Sequence, residues 1–343
     1  MLFRSVEAMI EKVTEGKYLS AEVIEQIRIK TDGVPLFVEE LTKSVVEAMK
    51  GQVTGDKGQE RKTVGALAIP ATLQETLMAR LDRLSTARQT AQLGATLGRE
   101  FSYELLQAVA PIGETDLQTS LTKLVEAEIL YQRGVGQQRR YFFKHALIQD
   151  TAYQSLLKST RQQYHQKIAQ VLAEQFPQTK ETQPELLAHH YTEASLIEQA
   201  IPYWQKAGER ASQRSAYVEA TIHLTEGLEL LKALPDTPGR AQQELTLQTT
   251  LGGVLQTTKG YGASEVEQAY ARARELCRQL GETRQLFPVL MGLCTFYNTR
   301  GELQRAHELA EQCFSLAHRA HKLRPSSWQL TWGWDTLCTT LES

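Results

Sequence analysis

The sequence has little of what would crosslink the chain or anchor it in a membrane. No apolar run approaches the ~20 residues of a membrane span, and the opening MLFRSVEAMIEK lacks the apolar segment of a signal peptide. We therefore expect a cytoplasmic protein with no membrane partner. The few cysteines form no C-x-x-C pair, which argues against both a zinc site and a secreted disulfide framework and predicts small apolar helix residues instead: Cys277, Cys294, Cys313 and Cys338.

An excess of positive charge is also missing. The 38 basic residues are balanced by 40 acidic ones, which leaves a formal net charge of −2. Non-specific binding to a phosphate backbone requires a basic surface, so we expect no nucleic-acid partner. The sequence does contain 41% apolar and 23% charged residues, a balance typical of soluble globular domains. Its length of 343 residues predicts two or three of them.

The first fifty residues have the periodicity of α-helices. Apolar residues at positions 6, 9, 10 and 13 share one helical face, with Ser5 placed to cap that helix. A second helix is predicted from Ser20 to about Lys30, where Thr31-Asp32-Gly33 stops it. Pro35 suits the first turn of a third helix, because no N–H is needed there.

A change in composition separates this region from the next. Residues 51–66, GQVTGDKGQERKTVGA, are polar and glycine-rich without periodic apolar positions, which predicts a linker. Thr72 can cap the helix that follows. Helices are then predicted over 71–84, 86–97, 102–110 and 114–127.

Two strand-like runs come next, at 128–133 and 139–143. The glycine-containing segment 134–137 between them predicts a β-hairpin. Helices followed by a hairpin is the order of a winged-helix domain. A further helix, with a possible bend, is predicted from His145 towards Phe176.

Beyond Pro184 the sequence repeats with the period of tetratricopeptide units, which are helix pairs of about 34 residues with small residues where the helices touch. The helix 197–213 is expected to pack on both of its neighbours. The segment 324–343 breaks this pattern and predicts an irregular tail. The residues that carry the repeat are Trp204, Ala207, Gly208, Ala220, Leu224, Gly227, Gly252, Ala269, Ala273, Leu293, Tyr297, Ala306 and Ala310.

Taken together, these parts resemble the bacterial signal-transduction ATPases of the STAND type that end in tetratricopeptide repeats and are often fused to class III adenylate or guanylate cyclases, or sometimes to a kinase. The resemblance covers roughly residues 5–323. It rests on TDGVPLFVEELTKSVVE (31–47), IPATLQETLMARLDRL (69–84), AQLGATLGREFSYELL (91–106), YFFKHALIQDTAYQSLL (141–157) and QPELLAHHYTEASLIEQAIPYWQKAGERA (183–211).

The resemblance implies an all-α fold with a helical lid, a winged-helix domain with one β-hairpin, and an α-solenoid of repeats. The ATPase core that precedes the lid in this family has no counterpart here, because no G-x-x-x-x-G-K-[ST] loop and no cyclase domain is found in the chain. We therefore expect no enzymatic activity and no cofactor in this chain, although ATP or ADP can bind if a core is supplied in cis or in trans. The expected domains are the lid 1–50, the linker 51–69, the winged helix 70–180, the repeats 181–323 and the tail 324–343.

Four residues are candidates for nucleotide contact. Gly33 and Pro35 match the G-x-P turn that lies against adenine in the family, although a simple helix stop and start needs the same residues. His145 resembles the histidine that senses an ADP phosphate, or else it is a structural residue at a strand–helix junction. Arg80, with Arg83 on nearly the same helical face, could reach a phosphate, or could be a solvent-facing partner of Asp82 or Glu75.

No metal site is predicted. His189 and His190, or His318 and His321, lack a third ligand at a usable spacing. A hydrolase nucleophile is also missing.

The predicted function is regulatory: the repeats bind a protein, peptide or small-ligand effector and thereby bias the lid and winged helix. The alternative is a stand-alone repeat scaffold for protein–protein interaction. A transcriptional regulator is disfavoured because segment 114–128, the expected recognition helix, has four acidic residues and one lysine.

Overall fold

A computed structural model describes residues 2–14, 19–53, 72–281 and 284–322. The described residues form seventeen α-helices and three short β-strands, so the predicted all-α fold with a small sheet is confirmed. They divide into two compact units. Unit 1 comprises the described residues up to Lys180 with Glu193–Ser195, and unit 2 comprises Glu181–Thr192 and the described residues from Leu196 onwards. The predicted tail and most of the predicted linker lie outside the described residues.

Unit 1 begins with three helices, which are α1 (Leu2–Thr14), α2 (Ala21–Thr31) and α3 (Pro35–Val53). Their apolar faces form one core that includes Val6, Ile10, Val23, Ile27, Val38 and Leu41. The prediction that Ser5 caps α1 is wrong, because the helix starts at Leu2 and Ser5 lies inside it. Helix α3 also extends three residues into the predicted linker.

Four helices follow in the next part of unit 1: α4 (Leu73–Arg83), α5 (Thr86–Leu97), α6 (Tyr103–Val109) and α7 (Glu114–Glu126). The start of α4 is fixed by a capping box. The Thr72 side chain accepts a hydrogen bond from the backbone N–H of Glu75, and the Glu75 side chain accepts one from the backbone N–H of Thr72. The predicted cap at Thr72 is therefore confirmed.

A three-stranded antiparallel sheet lies among these helices, with β1 (Glu100–Ser102), β2 (Leu130–Arg133) and β3 (Arg140–Phe143) in the order β1-β3-β2. The strands β2 and β3 form the predicted hairpin, and β1 adds a third strand that the sequence analysis did not anticipate. Phe101 lies opposite Tyr141, and the two rings stack at 5.9 Å. The apolar face of the sheet is thereby buried against the helices.

Two further helices of unit 1 are α8 (Ala146–Gln154) and α9 (Lys158–Gln175), and the short helix α10 (Pro177–Thr182) begins in unit 1 and ends in unit 2. The single bent helix expected from His145 to Phe176 is therefore two helices, separated at residues 155–157. His165 on α9 is buried, and its Nε2 atom lies 3.0 Å from the hydroxyl of Tyr153 on α8.

Unit 2 is a succession of helices joined by short turns. They are α11 (Pro184–Glu193), α12 (Ile197–Gln213), α13 (Tyr217–Leu231), α14 (Pro238–Lys259), α15 (Ser264–Leu280), α16 (Leu286–Thr299) and α17 (Leu303–Lys322). From α12 onwards, consecutive helices pack against each other. The helix predicted over 197–213 is α12, with the same bounds.

Glycines set the close approach of the unit 2 helices. A Cβ atom on Gly208 of α12 would lie 2.5 Å from the Leu224 side chain of α13. The Tyr270 ring of α15 fills the space beside Gly252 of α14 and Gly292 of α16, where a Cβ atom would lie 2.7 Å and 2.5 Å from it. Small residues at these positions thus determine how closely the helices approach, as the repeat pattern predicts.

The cysteines of the described residues are part of this packing. Cys277, Cys294 and Cys313 are buried in the apolar core of unit 2. Burial, with the neighbouring Cys294, raises the pKa of the Cys313 thiol to about 11. Such a thiol stays protonated and unreactive at neutral pH. No described helix has the length and hydropathy needed to cross a membrane.

Candidate functional site

Charged side chains converge where α3 meets the helices and the sheet of unit 1. We call this group the charge network and define it as Glu39, Glu40, Lys43, Glu47, Arg80, Glu128 and Lys144. Four of its members lie on α3, and the others come from α4, the turn after α7 and the residue after β3. The network therefore connects the N-terminal helices to three separate parts of the sheet-containing segment.

The innermost pair is Arg80 with Glu40. Both side chains are almost completely buried, and Arg80 Nη1 donates to Glu40 Oε2. Arg80 Nη2 donates to the carbonyl of Ala127 at 2.5 Å and to Glu47 Oε1 at 3.3 Å. A buried guanidinium is stable only when its donors find acceptors of this kind.

This geometry corrects one interpretation of Arg80. Its side chain is buried rather than solvent-facing, and its partners are on α3 rather than Asp82 or Glu75. Asp82 pairs with Arg88 instead. Arg83 is more exposed, and its Nη1 atom donates to the carbonyl of Ser44 at 2.7 Å.

Two lysines and two glutamates form the outer part of the network. Lys144 Nζ donates to Glu39 Oε1 at 2.6 Å and to Glu128 Oε2 at 2.8 Å. Lys43 Nζ donates to the same two oxygens, at 2.7 Å to Glu39 and at a short distance to Glu128. Each carboxylate therefore receives two ammonium groups, and each ammonium bridges two carboxylates.

The proton affinities of these groups reflect the arrangement. Burial raises the pKa of Glu39, but hydrogen bonds from Lys144 and Lys43 outweigh it and lower that pKa to about 2. The same two donors lower the pKa of Glu128 to about 2. Burial lowers the pKa of Lys144, but Glu128 and Glu39 raise it well above its ordinary value. All three groups are charged at neutral pH.

The position of Glu128 depends on an unusual backbone conformation. Its φ is 53°, in the left-handed region that non-glycine residues avoid. The turn is held because the Ile129 N–H donates to the carbonyl of Leu124 at 2.9 Å, and the Lys144 N–H donates to the carbonyl of Ile129 at 3.1 Å. Helix α7 thus ends in a tight turn that directs the Glu128 carboxylate to both lysines.

His145 lies beside this network, at the N-cap position of α8, and is half-buried. Its ring makes no side-chain capping hydrogen bond, and its buried Nε2 atom has no hydrogen-bond partner in the described part of the chain. Ligand atoms of His145, Glu39 and Glu40 lie within 4.8 Å of one another. Two predicted site residues, Arg80 and His145, are therefore brought to the same carboxylate, Glu40.

The other two predicted residues lie at the start of α3. Gly33 has a φ of 72°, as needed where the chain reverses between α2 and α3, and Pro35 is the first residue of α3. The Val34 N–H donates to the carbonyl of Thr31 at 2.9 Å. This is the helix stop and start expected from the sequence, and a nucleotide role for these two residues stays a prediction.

Unit 2 contains a separate groove. A cavity of about 350 Å³ opens between α13, α14 and α15. The Lys259 ammonium donates to a Glu265 carboxylate oxygen there, which lowers the pKa of Glu265 to about 2. The cavity thus combines an apolar floor with hydroxyl, carboxamide and charged groups. Its lining residues are Thr221, Thr225, Gln248, Leu251, Leu255, Lys259, Glu265, Gln268 and Ala269.

Sequence reasoning found Arg80 and His145 but missed most of the charge network. The missed residues are separated from their partners by up to 105 positions, as Lys144 is from Glu39. On a single sequence such charges look like solvated helix faces. One signal was available: Glu40 and Ser44 lie on the apolar face of α3, next to Leu41 and Val45 in the core.

No protein-family model matches the chain. A curated protein of Rhizobium meliloti (strain 1021), described as uncharacterised, is 28% identical over 293 residues, which is 84% of this chain. The chain spans only 28% of that relative's length.

Two solved structures also align with the chain, both at 12% identity. A STAND protein with a tetratricopeptide repeat sensor from Pyrococcus horikoshii has a TM-score of 0.29, covering 90% of this chain and 59% of that one. BtubC from P. vanneervenii has a TM-score of 0.25, covering 75% of this chain and 97% of that one. Neither likeness is close enough to assign a function.

Proposed function

We propose that this chain is the switch and sensor portion of a STAND-type ATPase, in which α1–α3 are the lid, α4–α9 with the sheet are the winged helix, and unit 2 is the effector-binding repeat array. The charge network is the observation that supports this most. It joins the lid helix α3 to the winged helix through ionic contacts that are specific in geometry.

Ionic contacts suit a switch because their net stabilisation is small compared with their specificity. The Coulomb attraction of a buried pair is largely offset by the cost of removing both charges from water. An interface of this kind favours one arrangement of α3 against the sheet-containing segment, while the free-energy cost of separating them stays small. Apolar packing over the same area would contribute stabilisation with little directional preference.

The nucleotide enters this proposal through the ATPase core, supplied in cis or in trans. Arg80 is held by Glu40 and Glu47 in this arrangement, so contact of Arg80 with a phosphate would require the network to open. We assign the present geometry to the latched state. A cyclase or kinase output of the parent protein belongs to the same proposal and rests on the sequence resemblance alone.

The unit 2 groove is the proposed effector site. Its threonine hydroxyls and glutamine carboxamides can bond to the backbone of an extended peptide, while Leu251, Leu255 and Ala269 can contact an apolar side chain. The same groove supports a second candidate function, a stand-alone protein-interaction scaffold that binds no nucleotide.

Binding of fluorescently labelled ADP to the purified chain, measured with an ATPase core supplied in trans and compared with the core alone, separates the two functions. We expect the chain to tighten ADP binding by the core, and His145→Ala to weaken that binding about tenfold or more, because a hydrogen bond to a charged group contributes ~1.5–3 kcal/mol. Pro35→Ala should also weaken it, because the proline ring fixes the backbone at the start of α3. The matched control is His307→Ala, since His307 is on α17 in unit 2. If the folded chain leaves ADP binding by the core unchanged, the scaffold is the better account. If ADP binds equally to all variants, the assigned site residues are wrong.

A further inference from the structure

Arg80 Nε lacks a hydrogen-bond partner in the described residues, and so do two further buried polar atoms in or beside the charge network. They are Glu40 Oε1 and His145 Nε2. Glu40 is completely buried, so its free oxygen is shielded from water. An unsatisfied polar atom in such a place is costly, at ~1–3 kcal/mol or more when the group is charged. A group outside the contacts described above is expected to satisfy it.

The neighbouring contacts leave one oxygen of each α3 carboxylate available. Arg80 bonds to Glu40 Oε2, and both lysines bond to Glu39 Oε1. One imidazole nitrogen and two carboxylates thus surround one small space, and their ligand atoms lie within 4.8 Å of one another. Three such donors are the number that a protein metal site with an open position requires.

We propose that His145, Glu40 and Glu39 bind a divalent transition-metal ion. Two ligands come from α3 and the third from the N-terminus of α8, so the ion would fasten the N-terminal helices to the sheet-containing segment independently of any nucleotide. The chemistry of the donors favours Zn²⁺ or Co²⁺. Imidazole nitrogen is a poor ligand for Ca²⁺ and Mg²⁺, and thiolates preferred by Cu(I) are absent from this set.

Binding a metal ion would require the three ligand atoms to move closer together. Zinc–ligand bonds of ~2.0–2.1 Å place tetrahedral ligand atoms about 3.3 Å apart, compared with the upper limit of 4.8 Å here. Glu39 and His145 are only partly buried and can rotate towards Glu40. No movement of the helix backbone is needed if these two side chains close the gap.

The local charge sets two further expectations. The charge network has four carboxylates and three cations, so a bound divalent ion changes its formal net charge from −1 to +1, and an anion or hydroxide is the natural fourth ligand. The Lys144 ammonium competes with the ion for Glu39. Removing that ammonium by Lys144→Met should therefore tighten metal binding.

The test is a titration of the chelator-stripped full chain with Zn²⁺ by calorimetry and with Co²⁺ by visible absorption. We expect one ion per chain and a Zn²⁺-dependent rise in melting temperature. His145→Ala should weaken binding by more than about 100-fold, since loss of a second-shell contact alone costs 10–100-fold. It should also abolish the thermal shift. Lys144→Met should bind more tightly than the unmodified chain.

His318→Ala is the matched control, because His318 and His321 on α17 are the other histidines at a metal-compatible spacing. Its binding should equal that of the unmodified chain. The proposal is overturned if the stripped chain binds no stoichiometric ion, if folded His145→Ala binds as before, or if His318→Ala removes the ion. In those cases a water molecule or a direct hydrogen bond between His145 and Glu40 satisfies the two atoms. Each readout is independent of ADP, so failure here leaves the proposed function unaffected.

Discussion

At the scale of single residues, the buried Arg80–Glu40 pair is the contact most sensitive to change. Removing one partner leaves the other charge buried without compensation, whereas removing both removes the desolvation cost as well. With this pair, the cost of leaving one buried charge unpaired can be measured separately from the cost of removing both charges from water. Its exposed counterpart in unit 1 is the pair of Arg88 with Asp82.

Arg80→Met should destabilise unit 1 by about 3–5 kcal/mol, because Glu40 loses its partner. The double variant Arg80→Met/Glu40→Leu should recover most of that loss. Urea unfolding, monitored by hydrogen exchange in peptides from α3, measures the stability of both variants. Arg88→Ala is the control, with an expected change of at most ~1 kcal/mol. A cost below ~1 kcal/mol for Arg80→Met would show that the ion pair is not formed in solution.

Two adjacent glycines of α14 give a second residue-scale prediction. Gly252→Ala should destabilise unit 2 by ~1–3 kcal/mol, because the new methyl group would lie 2.7 Å from the Tyr270 ring. Gly253→Ala has room, with the Tyr270 hydroxyl 3.8 Å away, and should stabilise by ~0.5–1 kcal/mol through helix propensity. Thermal unfolding of both variants is the measurement. Equal effects of the two substitutions would contradict the packing described.

The structural roles of Gly252 and Arg80 differ in how well the sequence alone predicts them. Gly252 was identified from the repeat pattern, since the small residue and its spacing are local properties. Arg80 was noticed as a charge on a helix face, yet its burial depends on Glu40, forty positions earlier in the chain. Pairing between distant segments is not encoded in local periodicity, so the charge network could not be predicted from one sequence.

At the scale of elements, the outer network makes the attachment of α3 dependent on pH. Glu39 and Glu128 have a pKa of about 2 in the folded chain, below their ordinary value of 4.5. Below pH 4.5 the unfolded chain takes up these protons first. The stabilisation is therefore fully present above about pH 4.5 and is lost as pH falls towards 2.

We expect the urea midpoint of unit 1 to fall over that acidic range, and to fall less in Lys43→Met/Lys144→Met, where the glutamates have lost their donors. Lys206→Met, which removes an ammonium bonded to Glu181 in unit 2, should keep the full pH dependence of unit 1. The comparison uses the difference between variants, because other carboxylates titrate over the same range. Parallel pH curves for all three proteins would contradict the role of the lysines.

Elements with long periodic signals were predicted well, and short ones were not. Helix α12 has the predicted bounds because its apolar and small residues span more than four turns. Strand β1 has only three residues, too few for an alternating pattern, and pairs with β3 forty positions later. Such a strand depends on its partner for existence.

At the scale of the whole molecule, the two units should respond independently to changes in their cores. Arg80 and Gly252 belong to different units and share no described partner. The destabilisations of Arg80→Met and Gly252→Ala should therefore add within ~0.5 kcal/mol in the double variant. Denaturant unfolding of the four proteins tests this. A larger deviation would show that the units are energetically coupled even without an effector.

The order of elements and the family resemblance lead to the proposed functional class, but they do not identify the effector. The groove lining in unit 2 is spread over three helices, and its selectivity depends on side-chain directions that a repeat pattern leaves open. The ligand of the array is therefore a matter for experiment on this groove.

The sequence separation within the charge network also affects synthesis. Lys144 follows Glu39 by 105 residues, which a ribosome takes roughly 5–20 s to translate at about 5–20 residues per second. Within this interval Arg80 follows Glu40 by forty residues, whereas Lys144 is made only at the end. The outer part of the charge network can therefore be completed only after the second strand of the hairpin has been synthesised, later than the pairing of Glu40 with Arg80.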